Sequence, residues 1–300
     1  MTTVAARTQP RFNRIHGLVM LLAAVLLGLA LAAPHAEAAG KQRVVAISPF
    51  AASAMIKMGV KPIAIGQTIG GSRRLDPRLR NVKTLKLSHP NGPNLEVMAK
   101  IKPDLVFSST RWSKGTSAMK RLGIRVVYAD PTGLGQVYPT IRKIGRKIGR
   151  SAQAGRLIAS MKKRVNRATK PTTKHPKILV VLGIGTTAMA FLKNSWGGQL
   201  VRAAGGNLVT GGATNSGGFA RLSDEVVVAQ NPDIIVVVPH GNSDDIGQVA
   251  DYIENNEAWQ TTNAVKNGKV FVSVDNELLQ AGTDVGQIIG KIRSKWLKNW

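Results

Sequence analysis

The stretch Asn-Pro-Asp-Ile-Ile-Val-Val-Val-Pro-His-Gly-Asn-Ser at 231–243 runs an apolar strand straight into a histidine. Ile234 to Val238 is an unbroken β-branched run, opened by Pro-Asp and closed by Pro239. A strand covered on both faces of an α/β sheet reads this way, because neither face needs polar residues. His240 falls just past the carboxyl end of that strand, where open α/β sheets bind ligands. Taken alone, the stretch equally describes a histidine that caps a turn beside Gly241.

Working outward, Glu225 stands eight residues before Asp233 in Glu-x6-Pro-Asp-Ile-Ile-Val, and Glu96 stands eight before Asp104 in Glu-x6-Pro-Asp-Leu-Val-Phe. Each glutamate opens a short helix that feeds an equivalent strand, a duplication that speaks for two related halves. The first half begins with strand Arg43 to Ser48 and a helix from Pro49 to a stop at Gly59, then strand Ile63 to Ile65. Gln67 to Pro93 reads as a loop, and loops of that length in a compact domain are commonly functional. Helix Asn94 to Ile101, strand Asp104 to Ser108, a helix near Thr116 to Leu122 and strand Ile124 to Tyr128 continue the alternation.

Tyr138 to about Lys170 breaks the rhythm. Ile141, Ile144, Ile148, Ala152, Gly155, Met161 and Val165 recur at helical spacing with Arg and Lys between them, which predicts one helix of roughly thirty residues with a solvated basic face. Lys177 to Leu182 then starts the second half. The expected fold is α/β: two Rossmann-like lobes, 39–136 and 171–300, joined by a single helix over about 137–170 and facing each other across a cleft.

The chain of 300 residues carries 42 Lys and Arg against 16 Asp and Glu, a formal charge of +26. That balance invites a nucleic-acid reading. The basic residues are spread over the whole chain, however, and the aromatics do not interleave with them as a stacking platform requires, so no nucleic-acid partner is expected. There is no cysteine, which removes disulfides, zinc thiolates and thiol chemistry. Arg7, Arg11 and Arg14 precede the apolar run Gly17 to Ala33, and Ala36-Glu37-Ala38 supplies an A-x-A pattern. Together they predict a secretory signal peptide over 1–38, cleaved near Ala38 to leave a soluble extracytoplasmic, periplasmic chain.

Gly183-Ile-Gly185-Thr-Thr-Ala188 matches the dinucleotide fingerprint in form, yet Met189 to Leu192 reads as more strand and the next acid, Asp224, is about forty residues on. No G-x-S-x-G elbow is present, and of the three histidines after the leader, His89, His175 and His240, one lies in the Pro-bracketed linker. A secreted α/β hydrolase is therefore a distant alternative, and no enzyme activity or catalytic cofactor is expected. A bare transition-metal site wants about four protein ligands, which two lobe histidines and few carboxylates supply poorly. A metal complex that brings its own donors asks for less: haem needs one or two axial ligands, and an iron-siderophore none.

Arg-Val-Val-Ala-Ile-Ser-Pro at 43–49, Asn-Leu-Glu at 94–96, Lys-Pro-Asp-Leu-Val at 102–106, Ala-Gly-Gly-Asn at 204–207 and Ala-Val-Lys-Asn-Gly-Lys-Val at 264–270 together resemble the extracytoplasmic substrate-binding proteins of ABC importers for haem, iron-siderophores and cobalamin. In that class, class III of the periplasmic binding proteins, the lobes are joined by one backbone helix. The resemblance implies a monomer that serves an inner-membrane permease and ATPase complex, with lobe-surface glutamates docking on the permease; Glu96 and Glu225 hold the matching positions. Lys-His-Pro-Lys-Ile-Leu at 174–179, Gly-Gln-Leu-Val at 198–201, and Asn-Pro-Asp-Ile-Ile with Pro-His-Gly at 231–241 are similar to its haem-binding branch. There the histidine is an axial haem ligand, which implies haem as ligand and His240 as its iron ligand, with ferric siderophore or cobalamin as alternatives.

The chain departs from that branch twice. Where a methionine ligand stands in a Pro-Met-x-Pro-Asn segment, this chain has Asn91 in Pro90-Asn91-Gly92-Pro93-Asn94, with His89 two residues away, and the lipobox is missing. His89 or Asn91 is accordingly the candidate second axial ligand. Arg73, Arg74 and Arg111 fall in loops where they would meet propionates or siderophore oxygens. Trp112, Trp196 and Phe219 are candidate packing surfaces for the macrocycle.

Overall fold

In the computed structural model, the described residues are 42–67, 76–169, 173–184, 187–215, 217–239, 251, 253, 255–273, 277–298 and 300. The leader and its cleavage site, Arg73, Arg74 and His240 lie outside them. Among the described residues no helix is long and apolar enough to cross a membrane.

Successive side chains of a strand point to opposite faces, and here both faces are buried. On β1 (Val44–Ala46), Val44 and Ala46 enter one core while Val45 enters another with Met98 and Met119. On β10 (Ile234–Pro239), Ile234, Val236 and Val238 face the first core, and Ile235 and Val237 face a third with Trp259 and Ile253. The apolar run at 234–238 is thus a central strand between two helical layers.

The N-terminal sheet contains β1, β2 (Ala64–Gly66), β3 (Lys83–Leu85), β4 (Leu105–Ser108) and β5 (Val126–Tyr128), in the order β3-β2-β1-β4-β5, all parallel. β3 falls inside the stretch expected to be loop. Only Leu85 of its three residues is buried, so the strand leaves no alternation to read.

The C-terminal sheet contains β6 (Lys177–Ile184), β7 (Thr187–Phe191), β9 (Phe219–Arg221), β10 and β11 (Val270–Val272), in the order β11-β10-β6-β7-β9, with β8 (Asn207–Leu208) paired to the start of β6. β10 runs parallel to β6 and β11, whereas β7 is antiparallel to both β6 and β9. Gly183 pairs with Ala188 and Ile184 with Thr187 across this antiparallel pair, so a strand and not a helix follows Gly183, which removes the dinucleotide reading.

Helix α1 (Pro49–Lys57) starts on a proline after Ser48, whose Oγ accepts from the Ala51 amide. Helices α2 (Leu95–Ile101) and α3 (Ser113–Arg121) complete the first lobe. The connector, expected as one helix, is two: α4 (Val137–Lys147) and α5 (Ser151–Ala168). Gly149, at φ +65, supplies the left-handed residue that ends α4. Gly145 lets the chain fold back, because a Cβ there would lie 2.6 Å from the Ala154 Cβ. Ile141, Ile144 and Ile148 keep helical spacing up to the break, so the periodicity hides it. The eighteen-residue α5 is the long bridging element: α4 packs on α1, and α5 packs along α8 (Val285–Lys295), crossing it closely at Gly286.

One core joins the lobes, since Phe50, Ile141 and Ile144 share a cluster with Ile158, Ile178, Trp196 and Ile289. Three polar contacts also join the lobes. Lys57 Nζ donates to Thr283 Oγ1 at 2.6 Å, beside the 2.6 Å contact of Ser53 Oγ with the same oxygen. The Leu134 amide donates to Gln199 Oε1 at 2.8 Å. Burial pulls the Lys57 ammonium below its ordinary pKa, opposed by the nearby Asp284 charge.

Candidate functional site

Parallel strands of the first lobe are followed by polar residues along one edge: Ser48 after β1, Ser88 and His89 after β3, Ser109 after β4 and Asp130 after β5. The β3 turn is closed by two backbone bonds, Ser88 N to Gly92 O at 2.9 Å and Gly92 N to Ser88 O at 2.7 Å. It seats on the start of α3, where a Cβ on Gly115 would overlap the Asn91 carbonyl oxygen. That seat brings the His89 ring to 6.0 Å from Trp112 in an edge-on arrangement at 63°. His89, Asn91 and Arg111 are exposed and Trp112 is half-buried. Four of the residues singled out in the sequence thus share one edge of the N-terminal sheet.

Sequence reasoning missed a fifth member. Asp130 Oδ1 accepts from Ser48 Oγ at 3.2 Å, and Ser48 Oγ also lies 3.1 Å from the Ala129 carbonyl. Burial pushes the Asp130 carboxyl above its ordinary pKa, against the lowering by a Ser109 hydrogen bond, the Arg111 charge and Ser48. A single aspartate after Val-Val-Tyr-Ala carries no motif that would have marked it.

In the second lobe β10 ends at Pro239, and His240, the next residue in the sequence, lies outside the described residues. Of the expected ligand surfaces in this lobe, Trp196 is packed into the core. Trp196 is 7% exposed, and its indole N–H donates to the Glu277 carbonyl at 3.1 Å. The helix it opens, α6 (Trp196–Ala203), buries its apolar stripe against the sheet. Phe219 is half-buried on β9 and meets Phe191 edge-on at 4.8 Å between centroids. A tryptophan or phenylalanine beside glycines reads alike as core or ligand platform until its neighbours are known. His175 is exposed, with Nδ1 2.9 Å from the Gly205 carbonyl oxygen.

Glu96 lies in the first turn of α2, capped by Asn94 Oδ1, which accepts from the Val97 amide at 3.1 Å. Glu225 lies in the first turn of α7 (Asp224–Gln230), capped by Ser223, whose Oγ is 3.4 Å from the Val226 amide. Both glutamates are exposed, one per lobe. The Ser223 hydrogen bond and a helix-start amide hold Glu225 below the usual carboxylate range.

The model of a family described as Periplasmic binding protein matches residues 44–276, which takes in both sheets and the connector. The chain belongs to the periplasmic binding protein family. A curated relative of this periplasmic binding protein, the "High-affinity heme uptake system protein IsdE" of Staphylococcus aureus strain MRSA252, is 29% identical over 191 residues, 62% of this chain. The match spans 65% of that relative's length. Among solved structures, an ABC transporter substrate-binding protein from Listeria monocytogenes EGD-e superposes with a TM-score of 0.75 at 22% identity, covering 86% of this chain and 100% of that one. S. aureus IsdE complexed with heme superposes at 0.69 with 24% identity, covering 86% and 99%. At these identities the structures establish a shared fold: two α/β lobes of the class III periplasmic binding protein type.

Proposed function

We propose that this periplasmic binding protein is the extracytoplasmic receptor of an ABC-type importer, which captures haem between its lobes and hands it to an inner-membrane permease and ATPase complex without performing chemistry on it. The observation that carries the reading is the carboxyl edge of the N-terminal sheet, where His89, Asn91, Arg111 and Trp112 converge, combined with the likeness to a heme uptake protein. His240, directly after β10, is the first axial ligand, and His89 or Asn91 the second. Trp112 packs on the macrocycle, and Arg111, with Arg73 and Arg74, meets the propionates. Trp196, buried in the core, takes no part, and half-buried Phe219 offers its free edge to the macrocycle. Glu96 and Glu225 dock on permease cations.

Titrating the apo protein with haemin tests the reading. A saturable Soret band at one haem per chain is the expected result. No spectral change with haemin, together with uptake of a ferric siderophore, replaces haem by a siderophore as the cargo.

A further inference from the structure

The connector was expected to present one solvated basic face, and the break at Gly149 turns that face into the walls of a groove. No aspartate or glutamate stands between Val137 and Ala168, against ten lysines and arginines. Gly145 brings α4 and α5 together at Ala154. Beside that contact a cavity of about 470 Å³ opens between the two helices. Its floor is apolar, made by Ala154, Gly155 and Ile158 of α5. Ala154 and Ile158 are buried, while a Cβ added to Gly155 would meet nothing within 4 Å, so the trough is unfilled there. Arg142 and Arg146, one turn apart on α4, line one wall. Lys162 of α5 lines the other, with its ammonium 5.7 Å from the centroid of the Tyr138 ring. All three cations are exposed, and among the described residues none of them has a carboxylate partner. Like charges one turn apart on a helix repel each other, so the Arg142 and Arg146 pair is a standing cost that a bound anion offsets.

We propose that the groove between α4 and α5 is a second ligand site of this protein, which takes a single-chain amphiphilic carboxylate such as a medium-chain fatty acid. The carboxylate sits among Arg142, Arg146 and Lys162, where guanidinium forks match its two oxygens. The alkyl chain lies over Gly155 against Ala154 and Ile158 and removes that floor from water. Both chemistries are needed: an inorganic anion leaves the floor wet, and an uncharged chain leaves the cations repelling. The site is independent of the haem reading, since none of its residues belongs to the sheet edge that carries His89 and Arg111.

The test is an isothermal titration of the apo protein with dodecanoate, held below its critical micelle concentration at neutral pH. Saturable binding of one dodecanoate per chain is the expected result. Arg142→Gln combined with Arg146→Gln, both exposed substitutions, should weaken it about tenfold, as the loss of a charge-assisted hydrogen bond does. Gly155→Leu fills the trough at an open position and favours the helix. It should weaken dodecanoate about tenfold as well, with a thermal midpoint unchanged or raised. Dodecanol, which has the chain without the charge, should bind the wild type at least about tenfold more weakly. Absence of dodecanoate binding, undiminished binding in either variant, equal binding of dodecanol, or displacement of dodecanoate by an equal concentration of inorganic phosphate overturns the proposal. So does a protein that ignores dodecanoate and binds vesicles of acidic phospholipid, which would make the basic face a membrane contact.

Discussion

In the N-terminal lobe, Arg43 leads into β1 with its amide on the Asp104 carboxylate at 2.6 Å and its guanidinium on the Ile101 carbonyl at 2.7 Å, at the end of α2. In the C-terminal lobe, Lys177 opens β6 with its amide on Asp233 at 2.8 Å and its ammonium on the Gln230 carbonyl at 3.1 Å, at the end of α7. Each helix stops on a residue in the left-handed region, Lys102 at φ 49 and Asn231 at φ 44, followed by Pro-Asp. Each aspartate amide returns a bond to the basic residue, Asp104 N to Arg43 O and Asp233 N to Lys177 O. The motif is one corner used twice: a cation satisfies the free carbonyls at the helix end, and a carboxylate receives the first amide of the neighbouring strand.

The opposite ends of the same strands differ. β4 ends in Ser108 and Ser109 beside Asp130 and Arg111, whereas β10 ends in Pro239 before His240. Corners at the amino ends hold the lobes' architecture and are duplicated. Residues at the carboxyl ends are free to diverge, and that is the edge at which open α/β sheets bind ligands.

The largest effect that would sharpen this comparison concerns the paired glutamates. Glu96→Arg with Glu225→Arg should abolish haem transport through the reconstituted importer, since like charges then face the permease cations, and leave haemin affinity within about twofold. The two single variants should be equally impaired; loss of haemin binding in the double variant would give the glutamates another role. Next, Asp104→Ala and Asp233→Ala should each lower stability by about 0.5–1.5 kcal/mol in denaturant titrations, the net worth of an exposed hydrogen bond to the strand-opening amide. A loss seen in only one lobe would break the equivalence of the corners.

The smallest effect separates them. Lys102→Gly should gain a few tenths of a kcal/mol, because a lysine pays steric strain at positive φ. Asn231→Gly should lose stability, since Asn tolerates that region and its Oδ1 accepts the Asn263 amide at 2.8 Å. Equal responses in the two unfolding curves would mean that the Asn263 contact contributes nothing.

The duplicated helix-to-strand unit was legible because Glu-x6-Pro-Asp brackets a short helix and a strand start within nine residues, whereas the left-handed stops and the cations that complete each corner were not. The central strand was legible because β-branched runs leave few other structures. The break in the connector was not, since Gly149 interrupts a period that its apolar neighbours maintain, and β3 was not, since its one buried residue, Leu85, makes no pattern. Arg111 stood out through its loop position, and His89 and Asn91 through the segment that resembles Pro-Met-x-Pro-Asn. Asp130 joins them only through three strands brought side by side, which no spacing within 48–130 encodes.

The central claim, that a histidine at the carboxyl end of β10 binds the iron of haem, is tested most directly by comparing the Soret bands of haemin complexes of the wild type, His240→Ala and His175→Ala. The account predicts a shifted or lost band and weaker binding for the variant at 240, with the wild-type spectrum kept at 175, where the ring rests on the Gly205 carbonyl. An unchanged spectrum in His240→Ala would contradict it.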